Sequence, residues 1–272
     1  MMRAKAALVL AMFLSVGCTG LVNGMSTEEL VFEKPPYIEA AKAAGTGDVT
    51  TLERLIKQGL DVNYEGKETK TPWGKDTVTL LLWATLSESF KGSEALLKAG
   101  ADPNKATRGG MVPLIMASGL KSDDLFELLL VRYKADPNKI LRIGSPNTAL
   151  TVALKERRNL GEKRFDRAEK LIKLGADVNL DMDRGETAVI AFSMFEDWRA
   201  VYWLLEHGAN HEARNSVRAT MMCSVRMSYR VNTLVPSEAY SYRDKVRDWL
   251  LAHGVARSRI DPALHPNLKC DD

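Results

Sequence analysis

One short pattern recurs six times along the chain: two adjacent aliphatic residues, two spacers, a glycine, then a turn. The copies are Leu55-Ile56 with Gly59, Leu96-Leu97 with Gly100, Leu130-Val131 with Lys134, Leu171-Ile172 with Gly175, Leu204-Leu205 with Gly208, and Leu250-Leu251 with Gly254. Behind the first four stand Leu60-Asp61-Val62-Asn63, Ala101-Asp102-Pro103-Asn104, Ala135-Asp136-Pro137-Asn138 and Ala176-Asp177-Val178-Asn179. Weaker forms follow at Ala209-Asn210-His211 and Val255-Ala256. Asp61, Asp102, Asp136, Asp177 and Asn210 lie 41, 34, 41 and 33 residues apart. The aliphatic pair marks the inner face of a helix. Glycine just past a helix end takes the left-handed conformation that a side chain resists. Asp and Asn then hold a turn through side-chain to backbone hydrogen bonds. Lys134 breaks the glycine rule, at a cost of roughly 1 kcal/mol or with a different turn.

A second element precedes each copy by one helix. It reads Tyr37-Ile38-Glu39-Ala40-Ala41, Thr79-Leu80-Leu81-Leu82-Trp83-Ala84, Val112-Pro113-Leu114-Ile115-Met116-Ala117, Thr148-Ala149-Leu150-Thr151-Val152-Ala153, Thr187-Ala188-Val189-Ile190-Ala191-Phe192 and Ala219-Thr220-Met221-Met222-Cys223. These segments resemble the Thr-Pro-Leu-His-x-Ala start of the ankyrin repeat, without its histidine and with its proline only at Pro113. The Gly-Ala-Asp-x-Asn string is the stronger half of the likeness. The resemblance implies an all-α ankyrin-repeat solenoid of about six helix-turn-helix repeats over residues 36–256. Each helix pair hides its apolar face only against its neighbours.

Three stretches exceed the repeat. Tyr64 to Thr77 makes a long first finger around Trp73. Lys155 to Arg167 enlarges the connection inside repeat four, and Ser228 to Tyr242 does so in repeat six with Tyr229, Tyr240 and Tyr242. Insertions in repeat proteins fall on exposed loops, often on the binding face.

The N-terminus reads as an address. Arg3 and Lys5 precede an apolar run from Ala6 to Val16, too short to span a bilayer and suited to a secretory signal over residues 1–17. Leu14-Ser15-Val16-Gly17-Cys18 resembles the lipobox of bacterial lipoproteins, which implies acylation of Cys18, a lipid anchor and, with Thr19 next, an outer-membrane, periplasm-facing address. Residues 18–35 then form a tether and a short helix begun by the capping box of Ser26 and Glu29. Residues 257–272, with Pro262 and Pro266, read as a tail capping the last repeat. The formal charge of +3 falls to +1 once Arg3 and Lys5 are removed, which argues against non-specific nucleic-acid binding.

Catalytic signals are sparse, and no cofactor is implied. Cys-x-x-Cys, Gly-x-Ser-x-Gly and phosphate-cradling glycine loops are missing. His207 and His253 share one repeat position, and Gly208 breaks any helix joining His207 to His211, so metal binding is not expected. Asp181 and Asp183 lack the further oxygen ligands of a calcium site. Cys223 and Cys270 either form a disulfide in an oxidising compartment or stay as a buried and a free thiol; spacing does not choose.

What remains is a protein-binding surface. By repeat position the finger tips carry Tyr64, Lys67, Lys70, Trp73 and Lys75; Lys105 and Arg108; Lys139 and Arg142; Asp181, Met182 and Arg184; and Arg214 and Arg218. This mostly basic set would steer an acidic partner. An exported, tethered ankyrin stack resembles the lipoprotein immunity proteins that accompany type VI secretion lipase effectors. That likeness implies inhibition of a secreted phospholipase-type effector. A periplasmic scaffold assisting an envelope enzyme is the alternative.

Overall fold

The computed structural model describes residues 27–71, 74–142, 144, 146–155, 162–230 and 238–264. The expected leader over residues 1–17, Cys18, Ser26, Trp73 and Cys270 lie outside the described residues, as does the side chain of Lys70. The chain divides into two compact units, Met1–Ala176 and Asp177–Asp272.

In the first unit, α1 (Thr27–Val31) precedes helix pairs α2 (Pro35–Thr46) with α3 (Val49–Lys57), α4 (Leu80–Leu86) with α5 (Phe90–Lys98), and α6 (Pro113–Ser118) with α7 (Asp123–Glu127). α7 runs into a π-helical turn, Leu128–Arg132, and α8 (Ala149–Leu154) pairs with α9 (Lys163–Lys173). The inner helices α2, α4, α6 and α8 pack in succession. Because α4 has neighbours all round, every one of its residues from Leu80 to Leu86 is buried, and an all-apolar helix is stable there. The outer α3 is amphipathic: it buries Leu52 and Leu55 and turns Glu53, Arg54 and Lys57 outward. Its neighbour α5 comes so close to α2 that a Cβ on Gly92 would stand 1.9 Å from the Ala44 carbonyl oxygen.

The recurring threonine before an inner helix is its N-cap. Thr79 accepts from the Leu82 amide at 3.1 Å and Thr148 from the Thr151 amide at 3.2 Å. After three outer helices of this unit, Asp61, Asp102 and Asp136 each accept from the amide two residues on, at 2.9, 2.8 and 2.8 Å; in the second unit Asp177 likewise accepts from the Asn179 amide at 2.8 Å. The asparagines do something else. Asn63 accepts from the Asp102 amide and donates to the Gly100 carbonyl, and Asn104 accepts from the Asp136 amide, so each ties its turn to the next repeat.

The third repeat corrects the register read from sequence. There the Ala135 amide reaches back to Leu129, whereas Ala101 and Ala176 reach Leu96 and Leu171. The π-helical turn absorbs one extra residue. The inward pair is therefore Leu129-Leu130, both buried, and Val131 is exposed. Lys134 does adopt the left-handed conformation, at φ 50°, beside the regular glycines such as Gly100 at 92°.

The first finger contains the only strands among the described residues, an antiparallel hairpin of β1 (Thr69–Thr71) and β2 (Gly74–Asp76) in register Thr69↔Asp76. The expected Lys155–Arg167 connection is also corrected. Its second half is the start of α9, with Arg164 and Arg167 buried.

The second unit holds α10 (Ala188–Met194), α11 (Trp198–Glu206), α12 (Met221–Arg230), α13 (Glu238–Ala252) and α14 (Arg257–Ile260). α10 packs on α11 and α12, α11 on α13, and α12 on α14. Trp198, Val201, Leu204, Val225, Val246 and Leu250 are buried in its core. Tyr229, Tyr240 and Tyr242, expected on an inserted loop, sit on α12 and α13. Arg226 donates to the Ser258 carbonyl at 2.9 Å, and Arg259 grips Glu212 with two bonds of 2.9 and 3.1 Å, which fixes α14 to the last repeats.

Candidate protein-binding surface

The fingers are built on a buried carboxylate. Asp76 ends β2 fully buried, and its oxygens accept from the Thr77 amide at 2.8 Å, the Gly109 amide at 3.0 Å and the Thr107 hydroxyl at 2.8 Å. A buried charge is tolerated when its lone pairs are filled. Here it locks the first finger to the second, and the Arg142 amide bonds to the Gly109 carbonyl at 2.8 Å to bring in the third.

The tips are less basic than their sequence suggests. Glu68 lies 2.8 Å from Arg108 and 3.5 Å from Lys75, so two of the expected cations share one carboxylate. Lys139 faces Asp136 at 3.9 Å, and Arg184 faces Asp183 at 4.0 Å. Arg142, Arg214 and Arg218 are exposed, while Lys67 and Lys105 are half-buried. Tyr64 is not a free tip residue: its ring stacks on Tyr37 at 3.7 Å with Lys34 above it. Met182 is corrected outright, because it is buried beneath the fourth finger.

In the second unit the fourth and fifth fingers are zipped together. The Ser216 amide donates to the Arg184 carbonyl at 2.7 Å, Asn215 donates to Glu186 at 2.9 Å, and a Cβ on Gly185 would meet the Arg214 carbonyl oxygen at 2.6 Å. Arg184 and Arg218 hold left-handed backbones at φ 50° and 60°, a strained state for side chains this large. Exposed Val217 stands next to Arg218.

Sequence reasoning missed the aromatic cluster of this unit. Arg243 lies over the rings of Tyr229 and Tyr240 at 4.0 and 4.7 Å, while Lys245 and Arg199 lie over Tyr242 at 4.3 and 5.4 Å. Tyr229 donates to Asp244, and burial pushes its hydroxyl up to about 12. The three tyrosines around residues 229–242 were the available signal; only the packing of α12, α13 and α11 pairs them with cations.

Among the described residues no three of His, Cys, Asp and Glu gather as metal ligands. Asp181 accepts from the Gly185 amide at 2.8 Å and so serves its turn. His207 and His253 stack on Trp203 and Trp249 at 3.8 and 3.6 Å. Cys223 is disulfide-bonded, and the chain's two other cysteines lie outside the described residues. No described helix is long and apolar enough to cross a membrane.

The ankyrin repeat domain of Bcl-3, a member of the IkappaB family, matches with a TM-score of 0.59 at 20% identity, covering 81% of this chain and 87% of that one. The fold is that of the ankyrin repeat. A chain from the complex of the Bd0816 predatory endopeptidase of Bdellovibrio bacteriovorus with immunity protein Bd3460 matches with a TM-score of 0.54 at 18% identity, covering 76% of this chain and 97% of that one. In sequence, this chain is 36% identical to inversin from Gallus gallus over 94 residues, 35% of its length. It is 29% identical to protein PhlB from Serratia liquefaciens over 133 residues, 47% of this chain. These matches span 8% of inversin and 55% of PhlB. No family model matches the chain.

Proposed function

We propose that this protein binds and inhibits a secreted hydrolase, as an immunity protein does, and that its ankyrin fingers make the contact. The observation that carries this reading is the likeness to a chain of an endopeptidase–immunity complex, taken with fingers that expose charged contact groups. Exposed Arg142 in the first unit and exposed Arg218 in the second each supply a planar, bidentate donor suited to a carboxylate on the partner. In the finer form of the proposal the partner is a phospholipase-type effector of type VI secretion. The inhibitor then waits at the periplasmic face of the outer membrane on an acylated Cys18, where such an effector would arrive. The leader over residues 1–17 and the lipobox-like Ser15-Val16-Gly17-Cys18 support that address.

Co-expression with the product of the neighbouring gene tests the reading. The expected result is a stable complex, loss of the partner's hydrolase activity and survival of cells otherwise killed by it. A partner that stays active, or cells that die equally with and without this chain, would reject inhibition. Metabolic labelling with an alkyne fatty acid tests the anchor separately, since Cys18→Ser is expected to abolish the label.

A further inference from the structure

We infer that the groove between outer helices α3 and α5 is a docking site for an amphipathic helix of another protein, acidic at both ends of its contact. One open cavity of about 670 Å³ lies between the two helices, floored by half-buried Val49, Ile56, Ala95 and Ala99 and rimmed by Lys57 and Lys91. The two alanines open it. Arg54 and Lys170 stand directly before the aliphatic pairs of α3 and α9, where α5 has Ala95. Gln58 and Leu174 stand two residues after those pairs, where α5 has Ala99.

Both ends of the groove are pinned. Gly47, just ahead of α3, is so near the start of α5 that an added Cβ would stand 3.3 Å from the Cβ of Lys91. Asn63, in the turn after α3, donates to the Gly100 carbonyl just past α5 at 3.2 Å. The helices therefore run side by side in the same direction. Lys91 stands at their N-terminal end on the α5 wall, and Lys57 at their C-terminal end on the α3 wall. Lys57 and Lys98 hold the same place after their aliphatic pairs, seven residues beyond the level of Lys91. At the rise of a helix this is about 10 Å along the groove.

The charges on the rim choose the occupant. Among the described residues no carboxylate bridges to Lys57 or to Lys91, and both are exposed. Lys98 is already held by Glu94 at 3.1 Å, and Glu94 also holds Arg132 at 2.8 Å, so that carboxylate has no capacity to spare for the free lysines. Glu53 and Glu94 line the middle of the groove, between the two free cations, and repel acid there. The complementary ligand carries an acid at each end and large apolar side chains between. On a helix that is Glu-x-x-Leu-Leu-x-x-Glu, whose first, fourth, fifth and eighth residues share one face. An acyl chain in so open a groove would stay wet along one side, whereas a helix brings its own cover and packs along two parallel helices. This site does not depend on the contact proposed for the fingers.

Fluorescence anisotropy of a labelled, alanine-based peptide helix bearing Glu-x-x-Leu-Leu-x-x-Glu, titrated with the full chain, tests it. Saturable binding is expected. Ala95→Arg, which fills the notch as Arg54 does on α3, is expected to weaken it at least roughly tenfold. Lys57→Glu combined with Lys91→Glu should do the same, and should bind the matching Lys-x-x-Leu-Leu-x-x-Lys peptide better than the parent does. Unchanged circular dichroism would show that these surface variants stay folded, and the gain for the basic peptide cannot come from misfolding. A parent that binds the acidic and basic peptides alike, or neither, overturns the inference. So does binding that Ala95→Arg and the paired lysine changes leave intact. Sedimentation velocity that finds a dimer abolished by Ala95→Arg would give the groove to a second copy instead, and would equally overturn it.

Discussion

Asn63 shows how much one side chain does in this protein. Its oxygen accepts from the Asp102 amide at 2.8 Å and its nitrogen donates to the Gly100 carbonyl at 3.2 Å, so one amide group serves two orphan groups of the following turn. Asn179 repeats the arrangement within the second unit, on Asn210 and Gly208 at 2.7 and 3.0 Å. Sequence reading assigned Asn and Asp alike to their own turn. That holds for Asp, whose short carboxylate reaches two residues along the chain. It fails for Asn, whose donor and acceptor pair matches a carbonyl and an amide on the adjacent repeat. Asn63→Ala is expected to cost about 1–2 kcal/mol, through two lost hydrogen bonds with polar groups left behind. A drop in the urea midpoint at constant slope would register it. Gly92 is the second decisive residue. Alanine favours a helix by about 1 kcal/mol over glycine, yet here its Cβ would collide with the Ala44 carbonyl oxygen at 1.9 Å. Gly92→Ala is thus expected to destabilise by about 2 kcal/mol or more, because backbone must shift to admit it. A lowered melting temperature is the outcome to look for.

At the scale of elements, α9 is held to the corner between α6 and α7 by one buried guanidinium. Arg167 donates to the Ser118 and Leu120 carbonyls at 3.1 and 2.5 Å and to Asp123 at 3.1 and 2.5 Å, with Phe126 under its plane. Its sequence context, a basic stretch between two repeat signals, looked like an inserted loop, because guanidinium burial is legible only once the carbonyls that accept from it are placed. Arg167→Leu is expected to cost about 2–3 kcal/mol, since it leaves buried carbonyls without donors. The hydrogen bond from Arg167, joined by one from Lys163, holds the Asp123 carboxyl below its ordinary value. A carboxyl lowered in the folded state contributes stability above the unfolded value of about 4, and that contribution fades as pH falls through the lowered one. Unfolding free energy measured from neutral pH down to the acid range should fall less steeply in Arg167→Leu than in the parent. Identical slopes would show that Asp123 gains nothing from the clasp.

At the scale of the whole molecule, the second unit is closed off at its C-terminal end by contacts the repeat pattern does not encode. Buried Ile260, the Arg259–Glu212 pair and the bond from Arg226 to Ser258 seat α14 on α12. Cys223, on the same inner helix, is disulfide-bonded. The proposed partner is Cys270, which would staple the tail over the last repeat. Peptide mapping under non-reducing conditions is expected to recover a Cys223–Cys270 cross-link. Reduction should then lower the melting temperature by destabilising the protein about 2–4 kcal/mol. A peptide joining Cys223 to Cys18 instead would dismiss the staple and, with it, acylation of Cys18.

The residues alone determined the repeat: where outer helices end, where glycine must take the left-handed state, where aspartate closes a turn, and hence the ankyrin fold. These are local rules, each settled within a few bonds along the chain. Only tertiary structure decided the rest. It moved the third repeat by one residue, buried Met182, paired Lys75 and Arg108 with Glu68, and left Phe195 in solvent. Burial and charge pairing depend on which distant segments meet, and a side chain's neighbours across the repeat seam are not written in its own neighbourhood of the sequence.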